Sequence, residues 1–555
     1  MSSFRNSAIR FLLIGASIFA FSVASGTTRI CAQKSAGASM YRNPILFADY
    51  SDPDVIRVGS DYYLVASTFH FVPGIPILHS KDLVHWSIAG HVIDRLAISP
   101  AYDMQGGNRY GRGVWAPAVR FHNGLFYVYF PTPDEGVFVS TAPKMTGPWT
   151  APEAVLSGPG YEDPCPFWDD DGQAYLIHSK VGAGPLILHR MSPDGKRVLD
   201  DGKEIMRDPK NLPTLEGPKM YKRNGLYYIF APYGGVPVGA QAVLRSKNIY
   251  GPYEYRTVLA KGDTEINGPH QGGYVETPDG KGWFIHFQSR GAHGRIVHLQ
   301  PVRWDGDWPV IGNAPQGATT GEPVMEYALP IVFHPQPTDR PQTSDEFDAK
   351  ALSPMWEWNH NPANERWSLA ERPGFLRLHT AYAADLLHAR NTVTECLQDE
   401  SAEITVRLDL EHLAPGDRAG LSIFDVSKSY VAVTYAGAGR KLAFSIKDAD
   451  TPGPDISAKI VQLRAVVKGD MATYFYSTDD GAAFTPIGSE VKLAFGWWKG
   501  ARPAIFAFNT DANAKTSGVL DVDWVHYRPC LDRFSGPVLL GYFSPSGEGC
   551  VLIIK

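Results

Sequence analysis

The sequence predicts an all-β protein in which a five-bladed β-propeller precedes a β-sandwich. One motif recurs about every 50 residues, a period typical of propeller blades, and its five copies begin at Asp52, Trp115, Asp163, Glu216 and Gly268. Within each copy, glycine-containing turns separate short aromatic and β-branched runs, as in a chain of hairpins. The chain has 54 glycines and 43 prolines in 555 residues, a composition that favours short strands and many turns.

Each copy of the motif predicts the first hairpin of one blade. A polar or aromatic residue and a proline are followed by a β-rich run, a turn and an aromatic strand. Asn123-Gly124 and Asn224-Gly225 are two of these turns, and Asn-Gly between alternating apolar runs is a strong hairpin signal. Further runs at 77–86 and 242–250 contain a Ser-Lys-Asp or Ser-Lys-Asn turn. They predict a second hairpin, and therefore four strands per blade, over residues 40–328.

A change of composition after the propeller predicts a second domain. Residues 329–344 contain four prolines and no periodicity, which indicates a linker. From 345 to 530, runs such as 375–380 and 402–410 alternate apolar and polar residues between turns, as in a β-sandwich of the jelly-roll or concanavalin-like kind. Residues 531–555 extend past this sandwich, and the sequence gives no role for them.

The first 32 residues predict a secretory signal peptide. Arg5 and Arg10 precede an apolar run, 11–24, and small residues follow it. The run is shorter than the ~20 residues that a membrane-spanning helix needs. Cleavage after Ser25 or after Ala32 fits, and a lipid anchor on Cys31 stays open. We therefore expect a secreted or periplasmic protein with no membrane contact after cleavage.

Charge and cysteine content narrow the class of protein. The formal net charge is −6, and Lys and Arg are scattered along the chain, so the footprint of a nucleic-acid-binding protein is missing and a neutral substrate is expected. Removal of the leader leaves Cys165, Cys396, Cys530 and Cys550, too few for a fold built on disulfides. A Cys530–Cys550 bridge and free thiols that pack as small hydrophobes both stay open.

Three acids stand at nearly the same place in three motif copies: Asp52, Asp163 and Glu216. The entry to the inner strand of a blade faces the central channel, so the three carboxyl groups are expected to converge there and to raise at least one pKa. Asp before Pro is a common turn residue. Glu before Gly-Pro has no special value in a turn, so Glu216 points to catalysis.

These residues and their surroundings resemble glycoside hydrolase family 43. The resemblance covers residues 41 to about 312 closely. It extends more loosely to the second domain, which looks like the β-sandwich that follows the propeller in the family's β-xylosidases. The motifs that carry it are Asn43-Pro-Ile-Leu, Ser51-Asp-Pro-Asp, Ser67-Thr-Phe-His-Phe-Val-Pro-Gly, His79-Ser-Lys-Asp-Leu-Val-His-Trp, Gly113-Val-Trp-Ala-Pro, Gln300-Pro-Val-Arg-Trp, Asp345-Glu-Phe-Asp and Arg372-Pro-Gly-Phe-Leu-Arg-Leu.

The resemblance implies a catalytic role for each of the three acids. Asp52 would be the general base that activates water, Glu216 the general acid, and Asp163 the residue that orients Glu216 and tunes its pKa. An inverting site separates its base and acid by ~6.5–9.5 Å to admit water. Asp52 and Glu216 belong to the first and fourth blades, which lie across the ring from each other and can supply that distance.

The resemblance also implies a set of substrate-binding residues. His270 matches a histidine of the channel floor, Arg295 an arginine that reaches the sugar, and Phe69 and Trp115 aromatic walls. Structural roles stay open for these four, because buried histidines, arginines paired with surface acids and packed aromatic rings are common.

The implied activity is release of a terminal pentose, β-D-xylose or α-L-arabinofuranose, from plant cell-wall polysaccharides or oligosaccharides. Two alternatives stay open, an endo-arabinanase and a carbohydrate-binding propeller without catalysis. No cofactor or metal is expected to be required, although calcium in the channel or at a structural site stays open. The acidic run 169–172 lacks the other spaced ligands of a calcium loop and fits a hairpin turn better. The sequence does not indicate an oligomeric state.

Overall fold

A computed structural model describes residues 39–530, except 438 and 515–516. The predicted leader, the extension 531–555 and the Cys550 partner of the proposed disulfide lie outside the described residues. In the described part, no helix is long and apolar enough to cross a membrane. The only helices there are short 3-10 turns at Pro100–Asp103, Gly291–His293, Asn364–Arg366 and Leu386–His388.

Five four-stranded antiparallel sheets form the blades, numbered I to V in chain order, and confirm the predicted propeller. Their strands, from the channel outwards, are Asp54–Val58, Asp61–Val65, Gly74–Ser80 and Ser87–Ile93 in blade I; Ala118–His122, Leu125–Thr132, Gly136–Ala142 and Glu153–Ser157 in blade II; Tyr161–Trp168, Ala174–Lys180, Leu186–Met191 and Lys203–Met206 in blade III; Lys219–Arg223, Leu226–Tyr233, Ala240–Ser246 and Glu254–Leu259 in blade IV; His270–Glu276, Gly282–Ser289, Arg295–Asp305 and Trp308–Ile311 in blade V.

Local sequence accounts for the inner hairpins and for the closure of the ring. Asn123 and Gly124 have φ of +48° and +80°, and Asn224 and Gly225 have +49° and +75°. Two successive positive φ values match the twist of a tight hairpin, and Asn-Gly adopts them at least cost. The first strand, Met40–Arg42, pairs antiparallel with Glu326–Ala328 and so joins the two ends of the propeller segment.

Two large sheets form the predicted β-sandwich, and residues 329–344 before it contain no strand. Inward-facing residues of both sheets, such as Leu378, Val406, Leu421 and Ile505, are fully buried in one core. The first sheet contains Glu357–Asn359, Val393–Thr394, Asp417–Phe424, Ser429–Ala436, Gly439–Ile446, Ala449–Ile456 and Arg502–Asn509. The second contains Trp367–Ser368, Leu376–His379, Ser401–Asp409, Ile460–Lys468, Met471–Ser477, Thr485–Lys492 and Val519–Pro529.

The propeller and the sandwich share a sheet. Strand Phe71–Val72, from the loop between the second and third strands of blade I, pairs antiparallel with Glu357–Asn359 and becomes the eighth strand of the first sandwich sheet. Phe71 is almost completely buried against Phe424 of that sheet, with ring centroids 6.5 Å apart. The sandwich therefore lies against the loop that carries Phe69.

Candidate active site

A cavity of about 460 Å³ opens where the inner strands of the blades begin. All seven residues that the sequence singled out line it: Asp52, Phe69, Trp115, Asp163, Glu216, His270 and Arg295. They come from all five blades or the loops that join them, because each motif copy enters its inner strand at the same end of the ring. The arrangement brings three acids, one arginine, one histidine and two aromatic rings to a single concave surface.

Both carboxylate oxygens of Asp52 accept a short hydrogen bond. Nη1 of Arg295 donates to Oδ1 at 2.7 Å, and the hydroxyl of Ser67 donates to Oδ2 at 2.7 Å. Asp52 and Arg295 are each only 8% exposed as side chains, so their ion pair is shielded from water. The Arg295 guanidinium also lies 4.7 Å from the ring centre of Phe287. These contacts fix the orientation of the Asp52 carboxylate.

Backbone conformation at the acids is unusual and repeats between blades. Asp52 and Asp163 have φ of +53° and +54°, and the matching residues of blades IV and V, Gly217 and Gly268, have +57° and +32°. All four precede a proline. A left-handed conformation costs a residue with a Cβ roughly 1–2 kcal/mol, and such strain concentrates at functional sites. Asp at two of these four positions therefore supports a functional role for the carboxyl groups.

Glu216 lies one residue before the left-handed position of blade IV. Its side chain is 21% exposed, and Oε1 lies 2.6 Å from Nε2 of His270. Asp163 approaches the same segment, because its Oδ2 accepts the backbone N–H of Gly217 at 2.8 Å. Asp163, on the neighbouring blade, thus contacts the backbone of Gly217. This contact holds the segment that carries the Glu216 carboxyl group in place.

A fourth acid, Glu162, was missed by the sequence analysis. Its Oε1 accepts the N–H of Ala183 at 2.9 Å, and one carboxyl oxygen from each of Glu162, Asp163 and Glu216 lies within 4.8 Å of the other two. Successive residues of a strand normally face opposite sides. Here the left-handed Asp163 and a register shift between Glu162 and Cys165 break the alternation. The pair Glu162-Asp163 before Pro164 was the available signal.

Two members of the carboxyl cluster, which we define as Glu162, Asp163 and Glu216, hold protons more tightly than isolated acids do. Burial, with the nearby charges of Asp163 and Glu216, raises the pKa of Glu162 well above its usual value. Burial, with Glu216 and Asp52, also raises the pKa of Asp163, although Lys219 opposes this shift. Like charges in a desolvated site disfavour joint ionisation, so the cluster keeps a proton near neutral pH.

Aromatic rings from both domains wall the cavity. Phe69 exchanges two backbone hydrogen bonds with Val114, and Trp115 donates its indole N–H to the carbonyl of Gly111 at 3.0 Å. Trp498, from the sandwich, lines the cavity as well and lies 6.4 Å from Trp115 in an edge-on arrangement. The sequence analysis missed Trp498, because nothing in its surroundings marks a residue of the second domain as part of a propeller site.

Among the residues that the structure describes, two places can be considered for a cation. The cluster oxygens lie close enough to share one ion, but the protein already contacts each acid, through Ala183, Gly217 and His270. The run 169–172 is a turn, in which Gly172 donates to the carbonyl of Asp169 and Lys222 pairs with Asp169 and Asp170. Calcium binding stays a prediction.

Two family models match this chain, one for the propeller and one for the sandwich. The model of glycosyl hydrolases family 43 matches residues 41–309, and that of the β-xylosidase C-terminal concanavalin A-like domain matches residues 344–528. A solved structure of a family 43 enzyme, engineered to display both endo-xylanase and exo-arabinofuranosidase activity, is 28% identical with a TM-score of 0.79. The alignment covers 88% of this chain and 100% of that one.

Three curated relatives extend the similarity along the chain. A protein of Xylanibacter ruminicola, provisionally assigned as a β-xylosidase, is 42% identical over 84% of this chain and 86% of its own length. A β-xylosidase of Formosa agariphila is 34% identical over 88% and 90%. A non-reducing end α-L-arabinofuranosidase of Bacteroides ovatus is 35% identical over 62% and 66%. The chain therefore belongs to glycoside hydrolase family 43.

Proposed function

We propose that the protein is an inverting, exo-acting glycoside hydrolase that releases a terminal pentose from plant cell-wall glycans. One observation carries the proposal: a single cavity holds carboxyl groups in opposite electrostatic environments. Asp52 contacts a guanidinium group, whereas Glu216 lies beside two acids, Glu162 and Asp163, whose pKa values are raised. Enzymes assign base and acid roles to carboxyl groups by separating their environments in this way.

The proposed reaction uses one water molecule and two proton transfers. Asp52 takes a proton from a water molecule while the oxygen of that water attacks the anomeric carbon. Glu216 gives its proton to the departing glycosidic oxygen. Attack opposite to the leaving group inverts the anomeric centre. Arg295 and Ser67 hold Asp52 in position, and Asp163 holds the Glu216 segment through Gly217.

The relatives support exo action on a small sugar. Two of them are named for β-xylosidase activity, and one is named a non-reducing end α-L-arabinofuranosidase. An endo-arabinanase stays the alternative. The names of the relatives support xylose or arabinofuranose as the released sugar, and both remain candidates.

The proposal is tested with aryl β-D-xyloside and aryl α-L-arabinofuranoside, each with a good and a poor leaving group. Glu216→Gln should abolish turnover of the poor leaving group and spare the good one, because only the poor one needs protonation. Glu254→Gln, an exposed acid on the outer strand of the same blade, is the control and should behave as wild type. Equal loss on both substrates would refute the acid assignment.

Two further readouts complete the test. Proton NMR of the first sugar released should show the anomer opposite to that of the substrate. A carbohydrate-binding propeller would instead bind sugar without turnover, and Asp52→Asn and Glu216→Gln would leave its affinity unchanged. Export through the predicted leader is part of the proposal, and N-terminal sequencing of the protein from the periplasm or medium checks it.

A further inference from the structure

A buried ion pair joins the sandwich to the segment that carries Asp52. Nζ of Lys499 lies 3.2 Å from Oδ2 of Asp49, and the two side chains are 3% and 5% exposed. Asp49 also accepts hydrogen bonds from the N–H groups of Gly500 and Arg295 and from the hydroxyl of Ser51. Burial opposes ionisation of Asp49, but Lys499 and these donors hold its pKa below the usual value. One carboxylate thus bridges both domains.

The pair contacts both groups that orient the proposed base. The backbone N–H of Arg295 donates to Oδ1 of Asp49 at 3.0 Å, and its guanidinium donates to Asp52. Lys499 donates to the carbonyl of Ser67 at 3.4 Å, and the Ser67 hydroxyl donates to the other oxygen of Asp52. Each oxygen of Asp52 is therefore held by a residue whose backbone is held by the Lys499–Asp49 pair.

A strained turn delivers Lys499 to this position. Gly496 and Lys499 exchange two backbone hydrogen bonds, and Trp497 and Trp498 between them have φ of +54° and +64°. Bulky residues rarely adopt such values. A Cβ at Gly500 would lie 2.6 Å from the backbone nitrogen of Gly294, so the turn docks directly beside Arg295. Strain of this kind persists only where the surroundings impose it.

We propose that Lys499 and Asp49 are positioning residues for Asp52, through which the sandwich domain sets the orientation of the catalytic base. This inference rests on the proposed function, because it assigns the pair a role in the same reaction. A merely structural pair would stabilise the contact between the domains and leave the chemical step unchanged. A positioning pair acts on kcat, because a base displaced by about 1 Å can cost about 10²-fold in rate.

The first test compares Lys499→Met with wild type on the aryl glycoside that the wild type hydrolyses. We expect kcat to fall by about 10²-fold while KM changes by less than about threefold. Asp49→Asn preserves volume and is measured alongside, so that a folding failure of the first variant does not decide the result. Folding is checked by near-ultraviolet circular dichroism and the melting temperature. Wild-type kcat in either folded variant would overturn the proposal.

Arg502→Met is the matched control. Arg502 begins the next strand of the sandwich, its side chain is 1% exposed, and it lies 2.9 Å from Glu357, whose carboxylate contacts His91 of the propeller. It makes no hydrogen bond with Asp49, Asp52, Ser67 or Arg295 in the described part of the chain, and its charge acts on Asp49 only through space. We expect a lower melting temperature with kcat retained. An equal fall of kcat in this control would show a general effect of domain packing and overturn the proposal.

A double-mutant cycle separates positioning from structural damage. Ser67→Ala removes one hydrogen bond to Asp52, so Lys499→Met should cost less in kcat when it is added to this variant. If kcat of the double variant falls by the product of the two single-variant factors, the two residues act independently and the coupling is refuted. An inactive wild type would refute the proposed function instead, and so the two failures are distinguishable.

Discussion

Replacement of Asp163 by Asn removes one negative charge from the carboxyl cluster. Oxygens of Asp163 and its two partners lie within 4.8 Å of one another. At 4.8 Å, the upper bound of these distances, two unit charges repel by about 3.5 kcal/mol at an effective dielectric constant of ~20 and by about 0.9 kcal/mol at ~80. With 1.36 kcal/mol per pH unit, these limits correspond to about 2.5 and about 0.6 units. Because the cavity side of the cluster is partly open to solvent, with the Glu216 side chain 21% exposed, we expect the alkaline limb of the rate profile to move by about one pH unit, between these limits.

The sign follows from the charges. Asp163 is one of the groups that raise the pKa of Glu162, so its neutral replacement lets the cluster lose its proton at lower pH. The alkaline limb of kcat/KM against pH reports that loss, and it belongs to the cluster rather than to one residue. In Asp163→Asn the limb should therefore move towards lower pH, and the maximal rate should fall because the contact with Gly217 changes.

The assay is a kcat/KM profile between pH 5 and 9 on a glycoside with a poor leaving group, for which protonation limits the rate. Ser179→Ala is the control, because the Ser179 hydroxyl lies 3.4 Å from both Glu162 and Asp163 but carries no charge. Its alkaline limb should stay in place. An unmoved limb in Asp163→Asn, with the enzyme folded, would show that Asp163 does not tune the acid.

Further substitutions test other parts of the structure. Trp498→Ala should raise KM about 2- to 10-fold with little change in melting temperature, because an aromatic wall is worth roughly 0.5–1.5 kcal/mol. Burial raises the pKa of Glu395, so its contribution to stability is lost as pH rises above the unfolded value. In denaturant titrations, Glu395→Gln should reduce the decrease of the free energy of unfolding with rising pH, by up to about 1.4 kcal/mol per pH unit. Gly113→Ala places a Cβ 2.2 Å from the Phe69 carbonyl and should lower the melting temperature and the activity together. The segment 40–328 alone should fold poorly or lose activity, because it loses the sandwich strand that pairs with Phe71–Val72, and full activity would show that the sandwich is dispensable.

The sequence was sufficient to predict the ring and most of the site. Turns such as Asn123-Gly124 are local, and a local signal repeated five times determines the hairpins and their number. Once the inner strands converge, residues at their entries must face one cavity. This is why Asp52 and Glu216 could be predicted to share one cavity although they are 164 positions apart in the sequence.

Contacts between segments that are far apart in the chain could not be predicted from the sequence. Trp498 reaches the cavity and Lys499 reaches Asp49 only because a strained turn of the sandwich docks beside blade V. Phe71–Val72 joins the sandwich sheet as a two-residue strand, too short to give a periodic pattern. Glu162 was hidden for a different reason, because strand alternation places it on the wrong face unless the left-handed Asp163 is known.

Departures from the repeat, more than the repeat itself, account for the proposed chemistry. The left-handed position before proline is occupied by glycine in blades IV and V, where it costs little, and by Asp52 and Asp163 in blades I and III, where it is strained. In blade IV the acid stands one residue earlier, so Glu216 reaches the cavity from a different backbone direction and contacts His270. A strictly symmetric ring would give equivalent carboxyl groups in equivalent environments. The shift by one residue, the arginine beside Asp52 and the acids beside Glu216 make the two carboxyl groups different, and a base and an acid must differ for hydrolysis to proceed.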